Sequence, residues 1–228
     1  MKKIICVLFL FLLCYACYYI YNITEDRTLD VISIGDDIAS NPYLKKENSK
    51  YNTDFINKDY RINDLLNIIK YNEELTINDK EISIHQQLKK ADILIISIGM
   101  NDIYYKLNDN SKEIYSYLNN ILNSYEEILN EISKYDYKAV YILNYYNTSN
   151  KYNDLFVYTN YKLNKIANNY HYNYLDIAKI LNNRSEFYKK NTNFALNDAG
   201  YRQIYKLIVE NLKKTWYNIK CVYYYDLY

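Results

Sequence analysis

Apolar and polar positions along the chain follow two alternating rhythms. A β-rich run at Leu29–Ile34 and a nearly continuous apolar run at Ile93–Ile98 each stop at a glycine, Gly35 or Gly99, as a buried strand does at a tight turn. Lys138–Leu143 and Tyr172–Ile177 read as two further strands. Between them the spacing changes to a helical one, predicting helices at Ile62–Tyr71, Ser83–Lys90, Ser111–Tyr135 and Leu155–Tyr170. A last helix opens at Asn197 or Asp198, both good N-caps, and runs through Leu212. In the longest helix, Ile114, Leu118, Ile121, Tyr125, Ile128 and Ile132 form one stripe. Such a stripe also suits a coiled coil, but it is short and has no partner segment, so it is expected to cover a sheet. Asn41–Asp59 is polar and holds the only proline, Pro42, so it reads as a long loop with one short strand at Asp54–Asn57. The alternation predicts an α/β class: a doubly wound, flavodoxin-like three-layer sandwich around a mostly parallel sheet of about five strands.

The N-terminus departs from both rhythms. Lys2 and Lys3 precede an apolar run from Ile4 to Ile20, which is followed by Tyr21, Asn22 and the acidic Glu25 and Asp26. That length and flanking charge fit a signal anchor with its lysines in the cytoplasm. A cleaved signal peptide and a lipid-modified cysteine at Ala16-Cys17 are the alternatives. All three predict export, and the anchor makes the membrane a partner of the N-terminal helix. The expected division is residues 1–21 as anchor or signal, 22–28 as linker, 29–214 as the folded domain and 215–228 as a Tyr-rich tail. Of the 4 cysteines, Cys6, Cys14 and Cys17 lie in the apolar segment and only Cys221 lies beyond it, so the domain has no internal disulfide framework.

Composition narrows the function. A formal net charge of +1 over 228 residues gives no basic face for nucleic acid. Only 3 glycines occur, against about 7% in an average chain, so each is expected where no other residue fits. Gly35 and Gly99 stand at strand ends, and Gly200 stands at the opening of the last helix. The 32 tyrosines include the neighbours Tyr104-Tyr105, Tyr145-Tyr146 and Tyr223-Tyr224-Tyr225, which suit an aromatic sugar platform or arise by chance in so tyrosine-rich a chain.

The glycine segments read Gly35-Asp36-Asp37, Gly99-Met100-Asn101-Asp102 and Asn197-Asp198-Ala199-Gly200-Tyr201. In this order, on an alternating α/β pattern, they resemble the SGNH hydrolases, the GDSL esterase/lipase family. That family carries a Gly-Asp-Ser turn, a Gly-x-Asn-Asp turn and a late Asp-x-x-His ahead of an Asn-x-x-Gly-Tyr helix start. The resemblance covers Leu29 to Leu212 and adds Asp59-Tyr60-Arg61-Ile62, where the family has a glycine turn before a helix. It implies an esterase or lipase fold acting on acyl esters of lipids or envelope glycans, with no cofactor.

The departures fall on the working residues. The resemblance puts the nucleophilic serine at Asp37, the histidine at Ala195 and the aspartate that orients it at Thr192, with Asn193 beside it. Its oxyanion hole would use the N–H groups of residues 37 and 59 and the side chain of Asn101; Asp59 replaces the glycine, and Asn101 alone is retained. The two histidines, His85 and His171, sit ahead of strands, at the end opposite the site. The expectation is therefore an inactive relative that binds an acyl ester, a glycan or a protein. The alternatives are an active hydrolase using Asp37 as nucleophile and a structural cell-surface protein. Asp37 and Asp59 at one pocket repel, which favours pairing with Arg61 or Lys58, or a hard cation such as Mg²⁺ or Ca²⁺ held by the two carboxylates.

Overall fold

Five strands form one parallel sheet: β1 (Leu29–Gly35), β2 (Tyr51–Asn57), β5 (Ile93–Ser97), β6 (Ala139–Leu143) and β7 (Asn173–Leu175), in the spatial order β2–β1–β5–β6–β7. The computed structural model describes residues 9, 11–18, 28–46, 51–57, 60–77, 80–108, 113–190 and 194–225. A small antiparallel pair, β3 (Glu74–Ile77) with β4 (Lys80–Ser83), forms a second sheet, with β3 beside β2. The helices are α1 (Pro42–Lys46), α2 (Ile62–Tyr71), α3 (Ile84–Lys90), α4 (Met100–Asn108), α5 (Ile114–Ile132), α6 (Asn153–Asn169), α7 (Ala178–Leu181) and α8 (Asp198–Tyr225).

Helices cover both faces of the sheet, as a parallel sheet requires. Tyr141 on β6 faces α8, where its hydroxyl donates to the Asn211 carbonyl at 3.0 Å and meets the Thr215 hydroxyl. Tyr174 pairs in register with the next residue, Ile142, and so points to the other face, where its hydroxyl donates to the Asn160 carbonyl on α6. On that side α5 packs between α2 and α6. The predicted stripe of α5 is its inner face: Leu118, Ile121, Tyr125, Ile128 and Ile132 are all buried, so the helix covers the sheet as expected. The core centres on β1 and β5, whose residues are almost all fully buried.

The α/β class, the flavodoxin-like order and the five parallel strands agree with the sequence reading. Three local expectations change. Asn41–Asp59 is not one long loop, because it contains α1 and a full seven-residue strand, β2, paired with β1 along its whole length. The β3–β4 hairpin and α4 were not expected. The last helix runs continuously past residue 214 to Tyr225, and Trp216 is buried, so residues 215–225 extend the domain's helix. At the N-terminus, residues 11–18 are helical, and no helix among the described residues is long and apolar enough to cross a membrane.

Candidate functional site

From β1 the chain moves to β2 on one side and later crosses to β5 on the other, so the carboxyl ends of β1 and β5 flank the switch point of the sheet, where such folds bind ligands. The two strand-end glycines build this place. Gly35 has φ +137°, and a Cβ there would lie 1.7 Å from the Ser97 carbonyl oxygen; Gly99 has φ +102°. Both need the freedom of glycine.

The tight contact at Gly35 seats Asp36 between the strands. Its N–H donates to the Ser97 carbonyl at 2.7 Å. Its Oδ1 accepts from the Ser97 hydroxyl at 2.9 Å and from the Ile38 N–H at 3.2 Å, while Oδ2 is buried without a hydrogen bond. Burial pushes this carboxyl up to about 7, against the pull of those hydrogen bonds and with a small push from Asp37 beside it. Asp36 is thus the floor of the site.

Asp37 is on the outside of the same turn and exposed. The loop it belongs to is fastened to the start of α8: the buried Asn41 donates from Nδ2 to the Tyr201 carbonyl at 2.8 Å and accepts the Tyr43 N–H at 3.1 Å. Tyr43 in turn bonds Asp198, and Arg202 donates to Asp198 while stacking on the Tyr43 ring. The Tyr201 phenol is pushed up to about 12, first by burial and then by the charges of Asp37 and Asp36. The turn after β1 and the opening of α8 therefore share one mouth.

Asn101 lies in the first turn of α4, half-buried, and its amide makes no hydrogen bond to a described residue. Asp102 turns away into the fold: its Oδ2 accepts the Ile62 N–H at 3.0 Å at the start of α2, and burial raises its carboxyl against that bond and the nearby Arg61. The Arg61 guanidinium lies 4.1 Å from the centroid of the Tyr105 ring. Asp59 and Thr192, like Lys58 and Asn193, lie outside the described residues. Ala195 is half-buried, with its carbonyl accepting the Lys189 N–H at 2.9 Å, and its methyl can neither take nor give a proton. Just before it, Phe194 stacks on Tyr104 at 4.1 Å, and its carbonyl accepts the Tyr146 hydroxyl at 2.6 Å. Just after it, the Asn197 side chain accepts the Gly200 N–H, and a Cβ on Gly200 would sit 2.6 Å from the Phe187 carbonyl.

The histidines stay away from this mouth. His85 on α3 contacts the Ile69 carbonyl through Nε2, and His171 sits in the turn before β7. Among the described residues no group of three His, Cys, Asp or Glu side chains is arranged to hold a metal ion. The tyrosine platform is corrected in part: Tyr104, Tyr145 and Tyr146 are buried, with Tyr145 donating to the Ile98 carbonyl, so they are core and not a sugar-facing surface. Sequence reasoning missed Asn41, which ties two site loops together; its place immediately before α1 in a polar stretch gave no signal of burial.

No family model matches the chain, and no curated protein matches it by sequence. Solved structures do. A lipase from a goat rumen metagenome aligns with TM-score 0.62 at 16% identity, over 82% of this chain and 97% of its own. The acetyl xylan esterase AlAXEase aligns with TM-score 0.60 at 14% identity, over 80% and 99%. The acetylxylan esterase Axe2 from Geobacillus stearothermophilus aligns with TM-score 0.59 at 15% identity, over 81% and 94%. The chain therefore has the α/β fold of esterases and lipases.

Proposed function

We propose that this chain is an SGNH-type pseudo-hydrolase, exported and held at the membrane by its N-terminal apolar segment, which acts by binding an acyl ester, a glycan or a protein at the switch-point mouth. The observation that carries this reading is the pairing of Asp37 and Ala195 with loops fastened to each other through Asn41 and Tyr201. The resemblance puts a carboxylate, Asp37, at the nucleophile position and a methyl group, Ala195, at the base position. A serine-hydrolase relay needs a hydroxyl next to a general base, and neither residue supplies one. The membrane-anchored, extracytoplasmic location rests on Lys2, Lys3 and the apolar run that follows them.

The test is hydrolysis of short-chain aryl esters by the full chain in detergent, before and after the four-site change Asp37→Ser, Asp59→Gly, Thr192→Asp and Ala195→His. The native chain should show no turnover above a Gly35→Asp control that disrupts the site, and the four-site variant should show turnover. Native turnover abolished by Asp37→Ala would overturn the reading and assign Asp37 as a nucleophile. Fractionation of whole cells tests the location independently: recovery in the soluble cytoplasmic fraction would remove it.

A further inference from the structure

One turn along α4 from Asn101, a cation is set on an exposed ring. Asn101 and Tyr105 are four residues apart on this helix, so they share one face with Cβ atoms about 5 to 6 Å apart. Tyr105 is 58% exposed, and the Arg61 guanidinium lies 4.1 Å from its ring centroid. The acids beside Arg61 are engaged by backbone at the start of α2: Asp102 Oδ2 accepts the Ile62 N–H at 3.0 Å, and Asp64 Oδ2 accepts the Arg61 N–H at 3.1 Å. Among the described residues the guanidinium is in an ion pair with no carboxylate, Asp37 included. The next residue of α4, Lys106, lies over the Tyr117 ring at 5.5 Å, and the Tyr117 hydroxyl stands in the field of Asp102, Arg61 and Lys106 together.

We infer that Arg61, presented by Tyr105, is an outer subsite of the mouth and takes the carboxylate or phosphoryl oxygens of an acidic sugar whose ring lies against Asn101. A guanidinium stacked on a ring keeps its N–H fork at the ring's edge, where it matches the two oxygens of a carboxylate or a phosphoryl group. Holding it there in advance removes part of the cost of ordering a long side chain when the ligand arrives. A lone surface arginine would point to nothing. This one stands a helical neighbour away from an amide that is half-buried and makes no hydrogen bond to a described residue. That amide both donates and accepts, as sugar hydroxyls require. A neutral polar group and a cation side by side along one helix face fit a ligand built of the same two parts, a sugar ring and an acid. The inference rests on the reading that the mouth binds a ligand, and it selects a glycan carrying an oxyanion from the classes proposed above.

The experiment is saturation-transfer NMR on the full chain in detergent, with glucuronic acid, glucose 1-phosphate, neutral glucose and sulfate as probes at fixed ionic strength. At least one acidic sugar should bind about tenfold more tightly than glucose, the worth of one charge-assisted pair, and the tighter of the two names the acid. Arg61→Gln should bring the acidic sugars down to the level of glucose. Arg61→Lys, which keeps the charge but not the fork, should recover only part of the preference. Asn101→Ala should weaken acidic and neutral sugars alike. Glucose binding as tightly as the acids overturns the subsite, and so does a preference that survives Arg61→Gln in a chain with an unchanged unfolding midpoint. Sulfate displacing the acidic sugars at equal concentration marks a plain anion spot and overturns it too, as does binding of none of the probes. The binding role of the mouth is judged separately: ester turnover lost on Asp37→Ala defeats that role, whereas sugar binding blind to charge defeats only the subsite.

Discussion

At the scale of single residues, the three glycines and Asp36 carry most of the design of the mouth. Gly35 and Gly99 differ in what opposes a side chain. The Cβ of Gly35→Ala would meet a backbone carbonyl, Ser97 O, at 1.7 Å, so β1 and β5 would have to part, and the positive φ adds its own strain. Roughly 3 kcal/mol or more of stability should be lost, read from the denaturant midpoint. The Cβ of Gly99→Ala would meet the tip of a side chain, the Tyr145 hydroxyl, at 2.7 Å. Tyr145→Phe in the same chain should restore part of that loss, whereas it should restore none of the loss from Gly35→Ala. Asp36 makes a prediction of a different kind. Its folded value of about 7 lies above its ordinary 3.8, so the folded chain binds this proton more tightly than the unfolded chain. The cost of ionising it is absent below about pH 4, grows as pH rises and is fully present above about 7; Asp102, also raised, acts in the same direction. Urea unfolding at pH 5 and pH 8 should show these carboxylates favouring the acid side. Asp36→Asn, which keeps an acceptor for Ser97 and Ile38, should reduce that difference.

At the scale of elements, the strands that the sequence reveals most clearly are those buried on both faces. β1 and β5 are mostly apolar because helices cover them on either side, with Ser33 and Ser97 buried among their Ile, Leu and Val neighbours. β2 is an edge strand with one neighbour, and its Tyr-Asn-Thr start has no such run, so the polar pattern hid the first three of its seven ladder positions. α4 was hidden for a related reason, since it is short, mixes polar and apolar residues and follows directly from the Gly99 turn. The turns of the candidate site were legible because glycines are scarce here and each one marks a contact that no Cβ fits. The clamp between the first loop and α8 was not, because hydrogen bonds over 160 residues of separation leave no local trace. That clamp can be tested. Asn41→Ala removes the donor to the Tyr201 carbonyl and the acceptor of the Tyr43 N–H at a buried position, so it should cost about 1–3 kcal/mol. Hydrogen exchange at the first turn of α8 should quicken with it. Tyr43→Phe removes only exposed hydroxyl contacts, to Asp198 and Arg202, and should be close to neutral by the same measurement.

At the scale of the whole molecule, one long helix connects the mouth to the opposite end of the sheet. α8 opens at Asp198 beside Gly200 and Tyr201, lies along the β6 face through Tyr141, and continues to Tyr225. The fall in sequence pattern after Leu212 suggested that the domain ended near 214, but burial continues past that point. Trp216 is 9% exposed, and Thr215 meets the hydroxyl of Tyr141, itself 2% exposed, whereas Tyr217 is 62% exposed. A chain cut after Lys214 therefore loses the indole that covers this face and leaves the Tyr141 hydroxyl with one partner fewer. By analogy with removing a buried tryptophan side chain, that truncation should cost about 3–5 kcal/mol and expose apolar surface near β6. A chain cut after Tyr217 keeps both contacts and should lose far less. Removing residues 1–27 should leave the midpoint unchanged, because the first sheet residue is Leu29. Denaturant unfolding of the three truncations decides the matter: equal midpoints for the cuts at 214 and 217 would mean that Thr215 to Tyr217 add nothing to the fold, and that the tail begins at residue 215 as the sequence pattern suggests.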